Sequence, residues 1–164
     1  MESMTRIQFE QGPIRPPSEA YSLLLRVTRN CPWNRCEFCH TYKNEKFSLR
    51  TVEEVKKDID VVQEIVSELK ALSWQYGFRG EITAPLVNLI LQNPPYEANG
   101  FRSVALWLYN GGRNVFLQDG DNLILKTGQL VEILSYLKGK FPSIERITTY
   151  ARAKTVSKKT VVEL

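Results

Sequence analysis

Short apolar runs with polar neighbours mark the positions where the chain is expected to form strands. The first run lies within residues 21–30, YSLLLRVTRN, and holds three consecutive leucines and a valine. A run of this kind is typical of a strand that is buried on both faces. Residues 114–118, NVFLQ, and residues 146–151, RITTYA, predict a second and a third strand.

Apolar residues spaced by three and four positions predict a long amphipathic helix in the first half of the chain. Thr51 and Glu54 stand at the spacing of a capping box, which is a signal for the start of a helix. The apolar positions that follow recur as far as Leu69, and Gly77 is a residue type that often ends helices. One helix is therefore expected from Thr51 to near Gly77.

Two further helices are predicted towards the end of the chain. The first is expected from about residue 127 to residue 140, with Gly139 and Pro142 stopping it. The second is expected to begin with Ser157 as its N-cap, because a serine hydroxyl can accept a hydrogen bond from a free backbone amide there.

Two proline-rich stretches suggest how the remaining residues are organised. Residues 1–20 carry three prolines and are expected to form an extended lead-in without regular structure. Residues 79–112 hold two apolar patches separated by Asn-Pro-Pro at 93–95, and we interpret them as a helical insertion. Residues 21–164 would then form the folded unit.

Strands that alternate with helices predict an α/β fold with a parallel sheet and right-handed crossovers. In such folds the ligand site lies at the carboxyl ends of the strands. A sheet of three strands leaves open edges, so we expect the chain to be a truncated piece of a larger barrel-like or open α/β protein. The alternative is a small three-layer domain whose edges are covered by the insertion or by a second copy.

Composition places the chain in an ordinary class of globular proteins. Its 164 residues are about one domain, and apolar residues make up 43%. No apolar run reaches the roughly 20 residues that span a bilayer, and no signal peptide pattern opens the chain, so a cytoplasmic protein without a membrane partner is expected. The net charge of +4, from scattered basic residues, supports an anionic small molecule or RNA as partner only weakly.

All three cysteines and the only histidine lie within residues 31–40. Cys31, Cys36 and Cys39 are spaced C-x4-C-x2-C, and His40 follows directly, in a loop expected after the first strand. In the cytoplasm, clustered thiols are more often metal ligands or redox groups than disulfides. Three thiolates can hold three irons of a 4Fe-4S cluster and leave the fourth iron open to a substrate or cofactor.

Two other sites fit the same residues. A zinc site of Cys31, Cys36, Cys39 and His40 would make the chain a zinc-stabilised binding module without catalysis, although neighbours such as Cys39 and His40 usually point apart. Cys36 and Cys39 could also form a redox dithiol, which leaves Cys31 without a role.

The cysteine loop resembles that of the radical S-adenosylmethionine (radical SAM) superfamily, whose signature is C-x3-C followed by C-x-aromatic-C. Cys36-Glu37-Phe38-Cys39 matches the aromatic half, and residues 15–55 look like an uncharacterised subgroup of that superfamily. The resemblance implies a partial (β/α) barrel, of which about three β/α units plus the helical insertion are present.

The resemblance also implies a chemistry. Cys31, Cys36 and Cys39 would ligate a 4Fe-4S cluster, and Phe38 would help to bind S-adenosyl-L-methionine. An electron donor would reduce the cluster, and cleavage of the cofactor would release a 5'-deoxyadenosyl radical that takes hydrogen from a substrate. His40 would form a hydrogen bond to a cluster sulfide or to nearby backbone rather than bind iron.

The second landmark of the family follows the second strand and is here Asp119-Gly120-Asp121. The resemblance implies that these residues contact the amino group of S-adenosylmethionine. A plain turn between strand and helix would explain the same residues on conformational grounds.

Residues beyond this landmark say little about the substrate. Arg152 and Lys154 could meet a carboxylate or phosphate at the barrel mouth, although a solvated strand exit is the commoner role of such residues. The substrate is left open among RNA, tetrapyrroles, peptides and small metabolites. For this chain we expect cluster binding more than turnover, since half of the cofactor pocket would be missing.

Overall fold

The computed structural model describes residues 8–92 and 99–164 and arranges their strands and helices as an α/β fold. In chain order these elements are β1 Leu23–Leu25, β2 Thr28–Arg29, β3 Ser48–Leu49, α1 Val52–Gln75, α2 Ala84–Gln92, α3 Asn99–Tyr109, β4 Asn114–Leu117, α4 Thr127–Lys140, β5 Arg146–Thr149 and α5 Ala153–Val156. The predicted α/β class is confirmed.

Three of the strands form a parallel sheet in the order β1-β4-β5. Leu24 lies opposite Phe116, which in turn lies opposite Thr148. All three leucines of β1 are buried, so this strand is covered on both faces, as its sequence predicts. Because the strands are parallel, their carboxyl ends share one side of the sheet, which we call the carboxyl edge.

The first predicted strand is shorter than expected and is divided in two. Residues 21–30 contain β1, which ends at Leu25, and β2, which pairs antiparallel with β3 instead of joining the sheet. Arg26 follows the end of β1, and its guanidinium binds carboxylates of two distant segments. The β2-β3 ribbon joins the two ends of the segment that contains the cysteines.

The predicted long helix is present as α1, with the predicted capping box. The Thr51 hydroxyl accepts a hydrogen bond from the Glu54 amide at 3.1 Å, and the Glu54 carboxylate accepts one from the Thr51 amide at 2.8 Å. The chain turns away after the helix at Gly77, whose φ of +82° suits glycine. α1 packs against α3, α4 and β1. Within the described ranges no helix is both long and apolar enough to cross a membrane.

Helices occupy the described part of the segment that was interpreted as a helical insertion. α2 packs against α3, and α3 packs against α1 and β1. Phe101, Val104 and Trp107 of α3 are buried in the main hydrophobic core. The segment is therefore part of the core. The predicted break at 93–95 lies outside the described residues.

The lead-in is anchored although its residues 8–20 form only one turn of 3-10 helix, at Pro17–Glu19. The side-chain amide of Gln118, directly after β4, accepts from the Gly12 amide at 2.8 Å and donates to the Gly12 and Ile14 carbonyls, each at 2.9 Å. Phe9 is buried in the core. The lead-in is thus held against the sheet without pairing as a strand.

The last third of the chain has the predicted helix but not all of the predicted stops. α4 spans Thr127–Lys140, as expected, yet Gly139 lies inside it and the buried Phe141 is its C-cap. The prediction for Ser157 was wrong. Ser157 closes the four-residue α5 as its C-cap, and its hydroxyl donates to the Lys154 carbonyl at 3.0 Å, so it does not start a helix.

Candidate functional site

The loop that carries the cysteines leaves the carboxyl edge of the sheet and is closed at its base by the β2-β3 ribbon. Cys31, Cys36 and Cys39 are free thiols, and each is partly buried. The Cys39 amide donates to the Cys36 carbonyl at 3.3 Å, so the C-x2-C half of the motif forms a tight turn. Phe38, between them, is 85% exposed.

Asparagines shape the cysteine loop. Asn30, Asn34 and Asn44 have positive φ values of 67°, 46° and 68°, which asparagine tolerates better than most residues. The side-chain amide of Asn34 donates to the Tyr42 carbonyl, and the side-chain amide of Asn30 donates to the Lys46 carbonyl at 2.7 Å. These side-chain bonds replace regular structure between β2 and β3.

Gly120 lies against Cys31. A Cβ atom on Gly120 would be 3.0 Å from Cys31 Sγ and 3.1 Å from Cys31 Cβ, which is closer than most real contacts of this kind. The near neighbour of this glycine is thus the first cysteine. The cysteine loop and the Asp119-Gly120-Asp121 turn therefore meet, although 89 positions separate Asn30 from Asp119.

Asp119 holds residues on both sides of the three cysteines against the sheet. Its buried carboxylate accepts hydrogen bonds from Arg26 Nε at 2.6 Å, from the Asn30 backbone amide at 3.3 Å and from the Tyr42 hydroxyl. Burial and the bond to this carboxylate raise the pKa of Tyr42, which therefore stays a donor. Asp119 has a φ of +77°, so its backbone adopts an uncommon conformation to place these bonds.

Asp121 differs from Asp119 although one residue separates them. Its Oδ2 accepts from the Thr155 hydroxyl at 2.5 Å. Its Oδ1 is buried and has no hydrogen-bond partner among residues 8–92 and 99–164. Of the two predicted carboxylates, Asp121 thus keeps an acceptor for a ligand, whereas Asp119 is engaged by the protein itself. A ligand would have to displace a neighbour to reach Oδ1, because the atom is closed to solvent.

A cluster of charges around Glu10 supports the same loop and was not predicted from the sequence. The Glu10 carboxylate pairs with Arg29 at 2.7 Å, Arg26 at 3.0 Å and Arg50 at 3.4 Å. Burial opposes ionisation of Glu10, but these three guanidinium groups outweigh it and lower the pKa of the carboxyl group. The sequence signal was weak, because Glu10 lies in a segment without a periodic pattern.

A pocket of about 630 Å³ opens beside the cysteine loop at the carboxyl edge. Its wall includes Trp33 of the loop, residues 123–127 after β4, and Arg152 after β5. The Arg152 guanidinium lies 4.5 Å from the centroid of the Trp33 ring, which is within the range of a cation-π contact. Arg152 and Lys154, noted in the sequence as possible anion contacts, both line this pocket.

The donor atoms of the cysteine loop suit iron or zinc by their chemistry, since thiolates bind both. In the described part of the chain, however, no three Cys, His, Asp or Glu side chains converge as a metal-binding group. His40 is exposed. A cluster would therefore have to draw the three thiols of this loop together.

Comparisons with known proteins do not identify a family for the chain. Searches against protein-family models, curated proteins and solved structures found no match.

Proposed function

We propose that the chain holds a 4Fe-4S cluster through Cys31, Cys36 and Cys39, as part of a radical SAM protein with a partial (β/α) barrel. The observation that carries the proposal is the contact of Cys31 with Gly120 at the carboxyl edge of a parallel sheet. Ligand sites of α/β folds lie at this edge. When bound, the cluster and S-adenosylmethionine would supply reductive cleavage of the sulfonium to a 5'-deoxyadenosyl radical, with electrons from an external donor.

Each of the residues around the loop would have a separate role in this site. Asp119 holds Asn30 and Tyr42 on either side of the cysteines, so the thiols stay at the carboxyl edge. Gly120 has no Cβ atom, and the Cys31 side chain occupies the space that such an atom would need. The Oδ1 of Asp121, which has no hydrogen-bond partner among the described residues, would accept from the ammonium group of S-adenosylmethionine once a neighbouring group moves aside, and the exposed ring of Phe38 is free to pack against a cofactor.

The sheet leaves room for more strands of a barrel. Among the described residues, β5 pairs with β4 alone and β1 pairs with β4 alone. Each outer strand therefore has a free side on which a further parallel strand could form hydrogen bonds. A partial barrel is compatible with this sheet, and the substrate is left unassigned.

Metal analysis after anaerobic reconstitution with iron and sulfide tests the proposal. We expect about four irons and a matching amount of sulfide per chain, with the visible absorption of an iron-sulfur cluster. Replacing Cys31, Cys36 or Cys39 with serine should abolish this loading. One zinc per chain, without iron, would instead support the binding module built on the three cysteines and His40.

His40→Ala is the control that separates the two sites. If His40 only forms a hydrogen bond near the cluster, the variant keeps its iron content. If His40 is the fourth ligand of a zinc ion, the variant loses most of its metal, because a structural zinc site needs four protein ligands.

A further inference from the structure

The pocket beside the cysteine loop is strongly basic. Among the described residues, one carboxylate, that of Glu163, and five cationic side chains line it; the cations are Lys126, Arg152, Lys154, Lys158 and Lys159. In a cavity, charges of one sign reinforce each other and raise the local concentration of the opposite charge. The pocket is therefore electrostatically suited to an anion.

Most of these cations are available to a ligand. Lys159 is engaged, because its ammonium donates to the Leu125 carbonyl at 3.0 Å and to the Thr127 hydroxyl at 2.8 Å. The other four cations form no salt bridge with any acidic group of the described residues. Positive charge that is not neutralised by the protein favours a ligand of high negative charge.

The Glu163 carboxylate already accepts hydrogen bonds from the protein. Glu163 accepts from the Thr127 hydroxyl at 2.7 Å and from the Thr160 amide at 2.9 Å. Bonds from the Thr160 amide and the two threonine hydroxyls lower the pKa of Glu163 to about 2, so it is anionic at neutral pH. Its role is to hold residues 160–163 against Thr127.

Two groups in the pocket wall are held in place before any ligand binds. The Arg152 guanidinium lies 4.5 Å from the centroid of the Trp33 ring, and Arg35 lies 5.2 Å from the same centroid. The Thr155 hydroxyl is fixed by its bond to Asp121 at 2.5 Å. A guanidinium that already rests on an aromatic ring loses less freedom when it binds an anion, and its planar donors match the oxygens of a phosphate.

We propose that this pocket binds the phosphate group of a small phosphate monoester, of the size of a sugar phosphate or a mononucleotide. A phosphate monoester carries close to two negative charges at neutral pH and offers three acceptor oxygens, which several cations can share. The volume of about 630 Å³ exceeds that of a phosphate ion and suits a small organic molecule. S-adenosylmethionine carries no phosphate, so the ligand differs from the cofactor proposed above.

Calorimetric titration of the full chain at low ionic strength tests this inference. The probes are ribose 5-phosphate and AMP, each with its neutral counterpart, ribose or adenosine. We expect the phosphate compounds to bind at least roughly tenfold more tightly than the neutral ones, and the affinity to fall as salt is added. Equal affinity for ribose and ribose 5-phosphate, or no binding of either phosphate compound, would overturn the proposal.

Matched variants locate the site. Arg152→Gln and Lys154→Gln should each weaken the binding of AMP by roughly tenfold. Lys138→Gln removes the same charge from an exposed position of α4 outside the pocket and should leave the affinity nearly unchanged. An equal loss in all three variants would indicate unspecific attraction and contradict the proposal. Circular dichroism of each variant confirms that the loss is not one of folding.

Two further measurements distinguish a small-molecule site from a cluster-dependent effect and from a nucleic acid surface. The chain prepared without iron should bind AMP as tightly as the reconstituted chain does, so that a failure of cluster binding does not affect the result. A single-stranded oligonucleotide should not bind much more tightly than AMP. If it does, and Arg152→Gln leaves its affinity intact, the basic residues serve a nucleic acid surface and the small-molecule site is refuted.

Discussion

At the scale of one residue, Gly120 shows why the turn at the carboxyl edge contains a glycine. Its φ does not lie in the left-handed region, so glycine is not required there by backbone conformation. The requirement comes from Cys31, whose sulfur occupies the space that a Cβ atom would need. The identity of residue 120 is thus linked to the position of a proposed iron ligand.

Gly120→Ala tests that link. The added methyl group would be 3.0 Å from Cys31 Sγ and must move the thiol or the turn by a few tenths of an ångström. We expect the iron content after anaerobic reconstitution to fall well below that of the unchanged chain, while the fold persists. Gly128→Ala is the matched control, because no described atom outside the backbone of its own helix turn and its chain neighbours lies within 4 Å of its added Cβ. Full iron loading of Gly120→Ala would show that the contact is unimportant for the metal site.

The site residues differ in how far they could be predicted from the sequence. The cysteines stand out because they are rare and adjacent in the chain, and Gly120 stands out because it lies in a turn after a strand. The engagement of Asp119 could not be predicted, since its partner Arg26 is 93 positions away. A carboxylate in a turn looks the same in sequence whether it faces a ligand or a buried guanidinium.

At the scale of elements, the conformation of the cysteine loop depends on contacts with other segments of the chain. α1 was predictable because its capping box and its apolar periodicity are local signals, and both are present in the structure. The loop has no such periodicity. The β2-β3 ribbon joins its two ends. Asp119, which belongs to a different part of the chain, binds Asn30 and Tyr42 on either side of the cysteines.

Asp119→Asn should loosen this loop. Asparagine keeps the shape of the side chain but removes the charge that Arg26 and the Tyr42 hydroxyl contact. Hydrogen bonds to charged groups contribute roughly 1.5 to 3 kcal/mol each, so we expect the free energy of unfolding to fall by about 2 kcal/mol. Urea denaturation measures this change. Proteolysis of the native protein should also become faster between residues 31 and 47.

Glu37→Gln provides the comparison for that experiment. Glu37 is an exposed carboxylate of the same loop, and it forms no salt bridge within the described residues. Its replacement should change the free energy of unfolding by less than about 0.5 kcal/mol. If both variants lose the same small amount, Asp119 is not the anchor of the loop.

At the scale of the whole molecule, Glu10 joins the lead-in to the base of the cysteine loop and to the start of α1. Arg26 and Arg29 lie before the cysteines and Arg50 lies after them, and all three pair with this carboxylate. The alternation of strands and helices was enough to predict the fold class. It could not indicate this link, because the link depends on four charges from separate segments.

The ion pairs of Glu10 make the free energy of unfolding depend on pH in a definite direction. The pKa of Glu10 is below its ordinary value of 4.5 in the folded chain, so the folded state binds this proton less readily than the unfolded state does. Its contribution to stability is therefore complete above about pH 4.5 and is lost as the pH falls through the lower, folded pKa. Urea denaturation of Glu10→Gln and of the unchanged chain, from pH 7 down to pH 3, should show a difference that is largest at neutral pH and shrinks on acidification. The exposed Glu37→Gln should show a small difference at every pH. A Glu10→Gln difference that stays constant or grows towards pH 3 would mean that the three arginines do not stabilise the ionised carboxylate.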